Sequence, residues 1–270
     1  MAYEAEKLER ACLEDLQQAA PPEVRERLGL QALTIGSAFV SIAAGLPASA
    51  IVINRAIGLG LDGGESRETV RRIVDAYADA SVARYFIQKH PQAQPSDLHD
   101  WMIDAGLEKA RGWQKFSRGV EPIDPPETSL TVRQIGPEHG EAFARIACDA
   151  FDLGDAAVPW LAAVPGRPNW HVFMSFDGDQ PAGTGLLFVQ DGLAWSDFDT
   201  TAPAFRKRGG QSALLAHRIR YASNLGCRAI FTCTGEDVPG DPQHSYSNIL
   251  RAGFREDYVR ENYAPPKVAT

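Results

Sequence analysis

The run Arg206-Lys207-Arg208-Gly209-Gly210-Gln211-Ser212-Ala213-Leu214-Leu215 constrains this chain more than any other. Three cationic side chains lead into a glycine pair. The glycines open an amphipathic helix, Gln211 to Leu225, in which Leu215, Ile219 and Ala222 recur at helical spacing. The segment before it, Leu193 to Thr201, reads as a strand. Strand, basic glycine turn and helix together make an anion-binding device. Free N–H groups at a helix start point outward, and the helix dipole favours negative charge there. Glycine lets the backbone approach a phosphate closely and take a positive φ where the turn needs it. The turn is therefore read as a pyrophosphate cradle.

The basic cluster stands out because the 270-residue chain carries a net charge of −8. That balance gives no general attraction to nucleic acid or to an anionic membrane, and neither is expected as a partner. No apolar run approaches the length of a membrane span, and the N-terminus, Met1 to Arg10, is charged and lacks a signal-peptide core. The four cysteines (Cys12, Cys148, Cys227, Cys233) show no CxxC and no metal-ligand pairing. A reduced, cytoplasmic protein is the expectation. The six histidines form no HxxxH or HxH pattern, so no metal site is expected. Gly58-Leu59-Gly60 lacks the third glycine of a dinucleotide fingerprint.

Prolines at 122, 125 and 126 oppose helix and central strand and mark residues 121–128 as a linker. Residues 1–120 and 129–270 are each long enough to be a domain. In the first, helices over Ala5–Ala19 and onward to Leu28 precede strands over Leu33–Ala43 and Ser49–Leu59. A helix over Thr69–Ala80, a strand over Val82–Gln88, a capped helix from Ser96 to Ala105 and a strand over Lys109–Phe116 follow. In the second, a strand over Leu130–Ile135 and a helix over Pro137–Phe151 lead to a meander over Trp170–Phe176, Gly183–Gln190 and Leu193–Thr201. After the cradle helix come a strand over Ala229–Thr232, a helix over Ser245–Ala252 and a last strand over Phe254–Tyr263. The halves align with each other at nearly constant spacing. Gly63-Gly64-Glu65-Ser66 echoes Gly209-Gly210-Gln211-Ser212, Phe86 echoes Phe231, and Gly106 echoes Gly253. The shared order of elements favours an internal duplication.

The second half, about Thr128 to Tyr263, resembles the GNAT superfamily of acyl-CoA N-acyltransferases. Arg206, Gly209 and Gln211 occupy the places of the superfamily's Arg/Gln-x-x-Gly-x-Gly/Ala loop, with Gln211 departing from the expected small residue. Ser245 and Gly253-Phe254 match a second family feature. The first half resembles the same fold in degenerate form. The implied fold is α/β (α+β), two GNAT-like domains in tandem, each a mixed, mostly antiparallel sheet flanked by helices. The implied co-substrate is acetyl-CoA, lying where two neighbouring strands splay. The backbone of Arg208, Gly209, Gly210, Gln211, Ser212 and Ala213 would hold its pyrophosphate. Thr200, Thr201 and Ala202 would run beside the pantetheine, and Arg206, Lys207 and Arg208 could also meet CoA phosphates through their side chains. In the first half Gly60-Leu61-Asp62 replaces the basic triplet, and Glu65 and Glu68 sit at the start of the helix. Carboxylates there satisfy the helix dipole and repel a pyrophosphate. This half is expected not to bind CoA, and to support the catalytic half or wall its acceptor site.

Direct attack of an amine on a thioester needs a base for the amine proton, a donor for the carbonyl oxygen and a proton for the leaving thiolate. Asp197 is the first candidate base. Asp199 shares its face if the strand is regular, and Glu236 is the second choice. The family's Tyr acid position is Ile249 here, and Tyr246, one helical turn earlier, is the alternative. Asp149, Asp152 and Asp155 would favour a cationic amine near the acceptor, and Trp160 and Trp170 would line its pocket or simply pack in the core. The leading function is an acetyl-CoA-dependent N-acetyltransferase acting on a small-molecule or peptide amine, with homodimerisation left open. The alternatives are a non-catalytic CoA or acyl-CoA sensor and a module whose first half recruits a protein.

Overall fold

The computed structural model of the chain describes residues 2–241 and 243–267. In the first half, α1 (Ala2–Ala19) and α2 (Pro22–Leu28) precede β1 (Leu30–Ile35), β2 (Ala38–Ala43) and β3 (Arg55–Leu59). α3 (Arg67–Asp79), β4 (Phe86–Lys89), α4 (Leu98–Asp104) and β5 (Glu108–Arg118) follow. Beyond an irregular connection come β6 (Thr131–Ile135), α5 (Gly140–Phe151) and α6 (Val158–Leu161). The remainder is β7 (Trp170–Asp177), β8 (Gln180–Gln190), β9 (Leu193–Thr201), α7 (Gly210–Asn224), β10 (Ala229–Gly235), α8 (His244–Arg251) and β11 (Arg255–Ala264).

Each half is a mixed, mostly antiparallel arrangement flanked by helices. The halves do not keep separate sheets. All eleven strands join one sheet in the order β1-β2-β3-β4-β11-β5-β10-β9-β8-β7-β6. The closing strands are exchanged: β5 pairs with β10, and β11 pairs with β4 as well as with β5. The physical reason lies in β5, which is buried on both faces from Gln114 to Arg118. Such a strand belongs inside a sheet, with a neighbour on each side. The two parallel pairs, β3 with β4 and β9 with β10, are each bridged by the helix that a glycine turn opens, α3 and α7. The repeated order of elements read from the sequence is thus present in space.

Two strand expectations are corrected. Leu33–Ala43 is a hairpin, β1 and β2, turning at Gly36, whose φ is 59°. Residues 49–53 are not strand. Ile53 N–H and Asn54 N–H both donate to the Ala50 carbonyl, at 3.0 Å each, and coil the segment into a turn. The apolar run Ile51-Val52-Ile53 serves a cavity wall instead of a sheet.

Helix α1 lies across both halves, packing against β1, β2, β3 and β9. It carries Glu6 and Glu9 into the interior, where both are almost fully buried. Glu9 accepts from Arg55 Nη1 of β3 at 2.5 Å, from Arg260 of β11 at 2.5 and 3.0 Å, and from Lys115 of β5. Glu6 accepts from Arg260 Nη1 at 3.0 Å and from the Tyr258 hydroxyl at 2.7 Å. Burial opposes the charged Glu9 carboxylate, but Arg260, Lys115 and Arg55 outweigh it and hold the group well below the usual carboxylate range. One buried cluster thereby ties α1 to strands from both halves.

Candidate functional site

Helix α7 begins at Gly210, with Gly209 at the N-cap in the left-handed region (φ 79°) and no side chain capping its first turn. A Cβ on Gly210 would come within 2.9 Å of Leu130 Cδ1 and displace that side chain, while the left-handed φ at Gly209 favours glycine outright. The linker braces this turn. Thr128 Oγ1 donates to the Arg208 carbonyl at 2.6 Å. The Arg208 guanidinium forks onto Asp177 at 2.8 and 3.0 Å and reaches Ser129 Oγ at 2.8 Å. Arg208 is therefore engaged in shaping the turn, whereas Arg206 and Lys207 are exposed. Gln211 accepts from Asn248 of α8 at 2.5 Å and so leans away on the helix flank.

Beside this helix start the sheet opens. The parallel pairing of β9 with β10 runs only from Ala229↔Leu193 to Phe231↔Trp195. Past that point β9 stays with β8 (Thr200↔Thr184, Thr201↔Gly183), and β10 stays with β5 as far as Gly235↔Trp113. A gap between them is the result, flanked by Thr200, Thr201 and Ala202.

At the inner end of the gap, just past the last paired residues, β9 bulges. Leu186 faces Asp197 while Thr184 faces Thr200, and Phe198 takes φ 53°. The bulge breaks the expected sharing of a face by Asp197 and Asp199. The Asp199 carboxylate pairs with Arg218 of α7, whose Nη1 lies 3.0 Å from Oδ2 and whose guanidinium is wholly buried. Burial pushes the Asp199 carboxyl up, with Arg218 opposing. Its role here is structural. Asp197 instead lines a cavity on the α1 side of the sheet. Its carboxylate accepts from the Trp195 indole N–H at 3.0 Å and from the Phe198 backbone N–H at 2.7 Å, which fixes its orientation.

The cavity encloses about 310 Å³ and is built by both halves. Cys12, Leu13 and Leu16 of α1, the Ile51–Ile53 turn, and Arg55, Arg111 and Trp113 come from the first half. Phe151, Asp197, Phe198, Cys233, Thr234, Gly235 and Gln243 come from the second. The wall is mainly apolar, with a few polar groups converging, as in small-molecule sites generally. The first half supplies part of this cavity's wall. Arg111 and Trp113 were not legible, because β5 reaches the site only through the strand exchange, and Arg55 of β3 reaches it only through packing across α1. For Arg55 the one signal was a cation in an otherwise apolar strand.

The other candidates are dispersed. Glu236 follows β10, but its carboxylate lies against Gly112 and not on the cavity wall. Its carbonyl accepts from Arg111 Nε at 2.8 Å. Tyr246 lies on the opposite, α7/α8 face, edge-on to Phe116 at 5.0 Å, and its hydroxyl donates to Glu256 at 2.6 Å. Burial, then the Glu256 bond, pushes that phenol up. Ile249 is buried in the core under α7. Ser245 shares a hydrogen bond of 2.7 Å with Thr234 at the cavity edge. Asp149, Asp152 and Asp155 are all exposed and off the wall. Trp160 is wholly buried, donating to the Leu16 carbonyl at 2.7 Å, and Trp170 donates to Asp15 at 2.7 Å, so both pack and tie the halves together.

The corresponding places in the first half are filled by the chain itself. Ser66 caps α3, accepting from Thr69 N–H at 3.2 Å. Glu65 is buried beside it and accepts from Ser37 N–H at 2.8 Å. β3 and β4 stay together through Leu59↔Lys89, and Gln94 N–H donates to the Gly60 carbonyl at 2.8 Å. Among the described residues, no group of acidic, histidine or cysteine side chains is arranged to hold a metal, and no helix is long and apolar enough to cross a membrane.

No family model matches the sequence, and no curated protein matches it. Solved structures do. A GCN5-related N-acetyltransferase from Kribbella flavida superposes with a TM-score of 0.61 at 16% identity, over 90% of this chain and 93% of that one. A GCN5-related N-acetyltransferase from Sphaerobacter thermophilus gives 0.60 at 16% identity, over 88% and 84%. A tandem GNAT protein from the clavulanic acid biosynthesis pathway gives 0.56 at 12%, over 86% and 79%. The chain has the GNAT fold.

Proposed function

We propose that this chain is an acetyl-CoA-dependent N-acetyltransferase whose transfer site lies in the second half. The observation that carries the reading is the uncapped glycine start of α7 set beside the opening between β9 and β10. The residues fit the co-substrate. Backbone N–H groups from Arg208 to Ala213 would hold the pyrophosphate, with Arg206 and Lys207 free to add charge, and Thr200 to Ala202 would flank the pantetheine. Bound acetyl-CoA would supply a thioester carbonyl open to attack. Asp197, which lines the cavity near the inner end of the gap, would take the proton of an attacking amine. The first half binds no CoA because Ser66 and Glu65 occupy its anion position.

Calorimetric titration of acetyl-CoA and CoA tests this. Micromolar binding at one site per chain, lost in a Gly209→Asp/Gly210→Asp variant that still folds, supports it. No binding by the folded wild type overturns it. A second reading, an acyl-CoA sensor without turnover, is favoured by the buried Ile249 at the family's acid position and by Tyr246 facing away. CoA release in the presence of an amine separates the two.

A further inference from the structure

The cavity beside Asp197 carries charge information that its shape alone does not. Arg55 is on its wall, and the side chain is only 6% exposed. Its Nη1 donates to Glu9 at 2.5 Å, but among the described residues its Nε–H has no acceptor. A buried donor without a partner is costly and asks for an explanation. The cluster behind it sharpens the point. Arg55, Lys115 and Arg260 face only Glu6 and Glu9, so one cation among the five described groups is in surplus. The second cation on the wall, Arg111, is committed to the Glu236 carbonyl and to Asp241. Arg55 is thus the wall cation with capacity left over. Opposite in charge, Asp197 lines the same cavity and, among the described residues, receives N–H donors from its own strand only.

An occupant that answers both groups must bring one cation and one anion and add no net charge. A simple amine leaves Arg55 as it is. A polyamine sets a second ammonium against Arg55, and a simple acid leaves Asp197 without a counter-ion. Much of the remaining wall is apolar, with Leu13, Leu16, Val52, Trp113 and Phe151. The volume of about 310 Å³ lies at the low end of small-molecule sites and suits a compact molecule.

Resting on the transferase reading above, we propose that the acceptor is a small, free α-amino acid with an apolar side chain. Its amine sits at Asp197 and its carboxylate at Arg55. The ammonium form gives one proton through Asp197 to solvent. The neutral nitrogen then forms the amide bond as the carbon–sulfur bond breaks, and the electron pair of that bond leaves on sulfur. The second nitrogen proton passes to Asp197, and the thiolate takes a proton from solvent.

The test uses the full chain with acetyl-CoA and two matched pairs: L-leucine with 3-methylbutylamine, and L-phenylalanine with 2-phenylethylamine. Product is read by mass spectrometry, and binding by titration of each compound into the CoA complex. The amino acid of at least one pair should exceed its decarboxylated partner in kcat/KM by roughly 10- to 100-fold, the effect of one charge-assisted contact. Arg55→Gln should collapse that ratio toward one. A merely structural Arg55 would lower both members of a pair and leave the ratio standing, which overturns the assignment. Amines equal to or better than the acids also overturn it. If CoA binds and nothing is acetylated, the titrations decide. Amino acids that bind the complex uphold the ligand class and remove the transfer step, while no binding refutes the ligand class itself.

Discussion

Replacing Glu9 by Gln should cost this protein about 3–5 kcal/mol, because the change strands buried cations. In the native chain Glu9 is the shared acceptor of Arg55, Lys115 and Arg260, each nearly inaccessible. The amide keeps the shape and some hydrogen bonds but removes the charge. Glu6 is left as the only described carboxylate in the cluster, against three cations. For a chain of this size the loss corresponds to a fall in Tm of about 10 °C, at roughly 2–4 °C per kcal/mol. The pH dependence supplies the sign. Glu9 ionises more readily folded than unfolded, so its contribution is fully present above the ordinary value of 4.5 and is lost as pH falls from there toward the folded value. Thermal melts followed by circular dichroism, for wild type and variant from pH 8 down to pH 3.5, read both quantities. The gap between the two should be constant from pH 8 to 6 and narrow below about 4.5. A gap under about 1 kcal/mol at neutral pH, or one that does not narrow in acid, would refute the claim that this carboxylate holds the two halves together.

Asp197→Asn should lower kcat for amine acetylation by about 100-fold or more at neutral pH, measured as CoA release with any acceptor identified. Undiminished turnover across the pH range removes Asp197 as base. Asp199→Asn should act on stability, leaving Arg218 buried without its counter-ion and lowering Tm by several degrees in a melt. A variant that melts with wild type shows the pair to be dispensable. Cys233 lines the cavity, and burial pushes its thiol up to about 11, so alkylation by iodoacetamide should be slow at pH 8 and speed up toward that value. Rapid labelling of the native protein at pH 8 would contradict the raised thiol.

The sequence by itself determined the parts of this protein that are local. Gly209 and Gly210 had to start a helix, and the strands from Trp170 to Thr201 had to form a meander, since each follows from backbone conformation or hydrogen bonding between chain neighbours. The repeat of strand, glycine turn, helix and strand was legible for the same reason. Its loss of basic residues in the first half, where Gly60-Leu61-Asp62 replaces the basic triplet, was legible in the same way. What the tertiary structure decided is how the copies share their strands and what faces what across them. The exchange of β5 and β11 depends on both faces of a central strand being covered, which no window of sequence reports. The bulge at Phe198 sends Asp199 to Arg218 and leaves Asp197 alone in the cavity. A period of two read along β9 places them together, because a single extra residue reverses every face beyond it. Arg55, Lys115 and Arg260 lie far apart in the chain, and only their convergence on Glu9 under α1 turns three strand cations into one buried cluster beside a site.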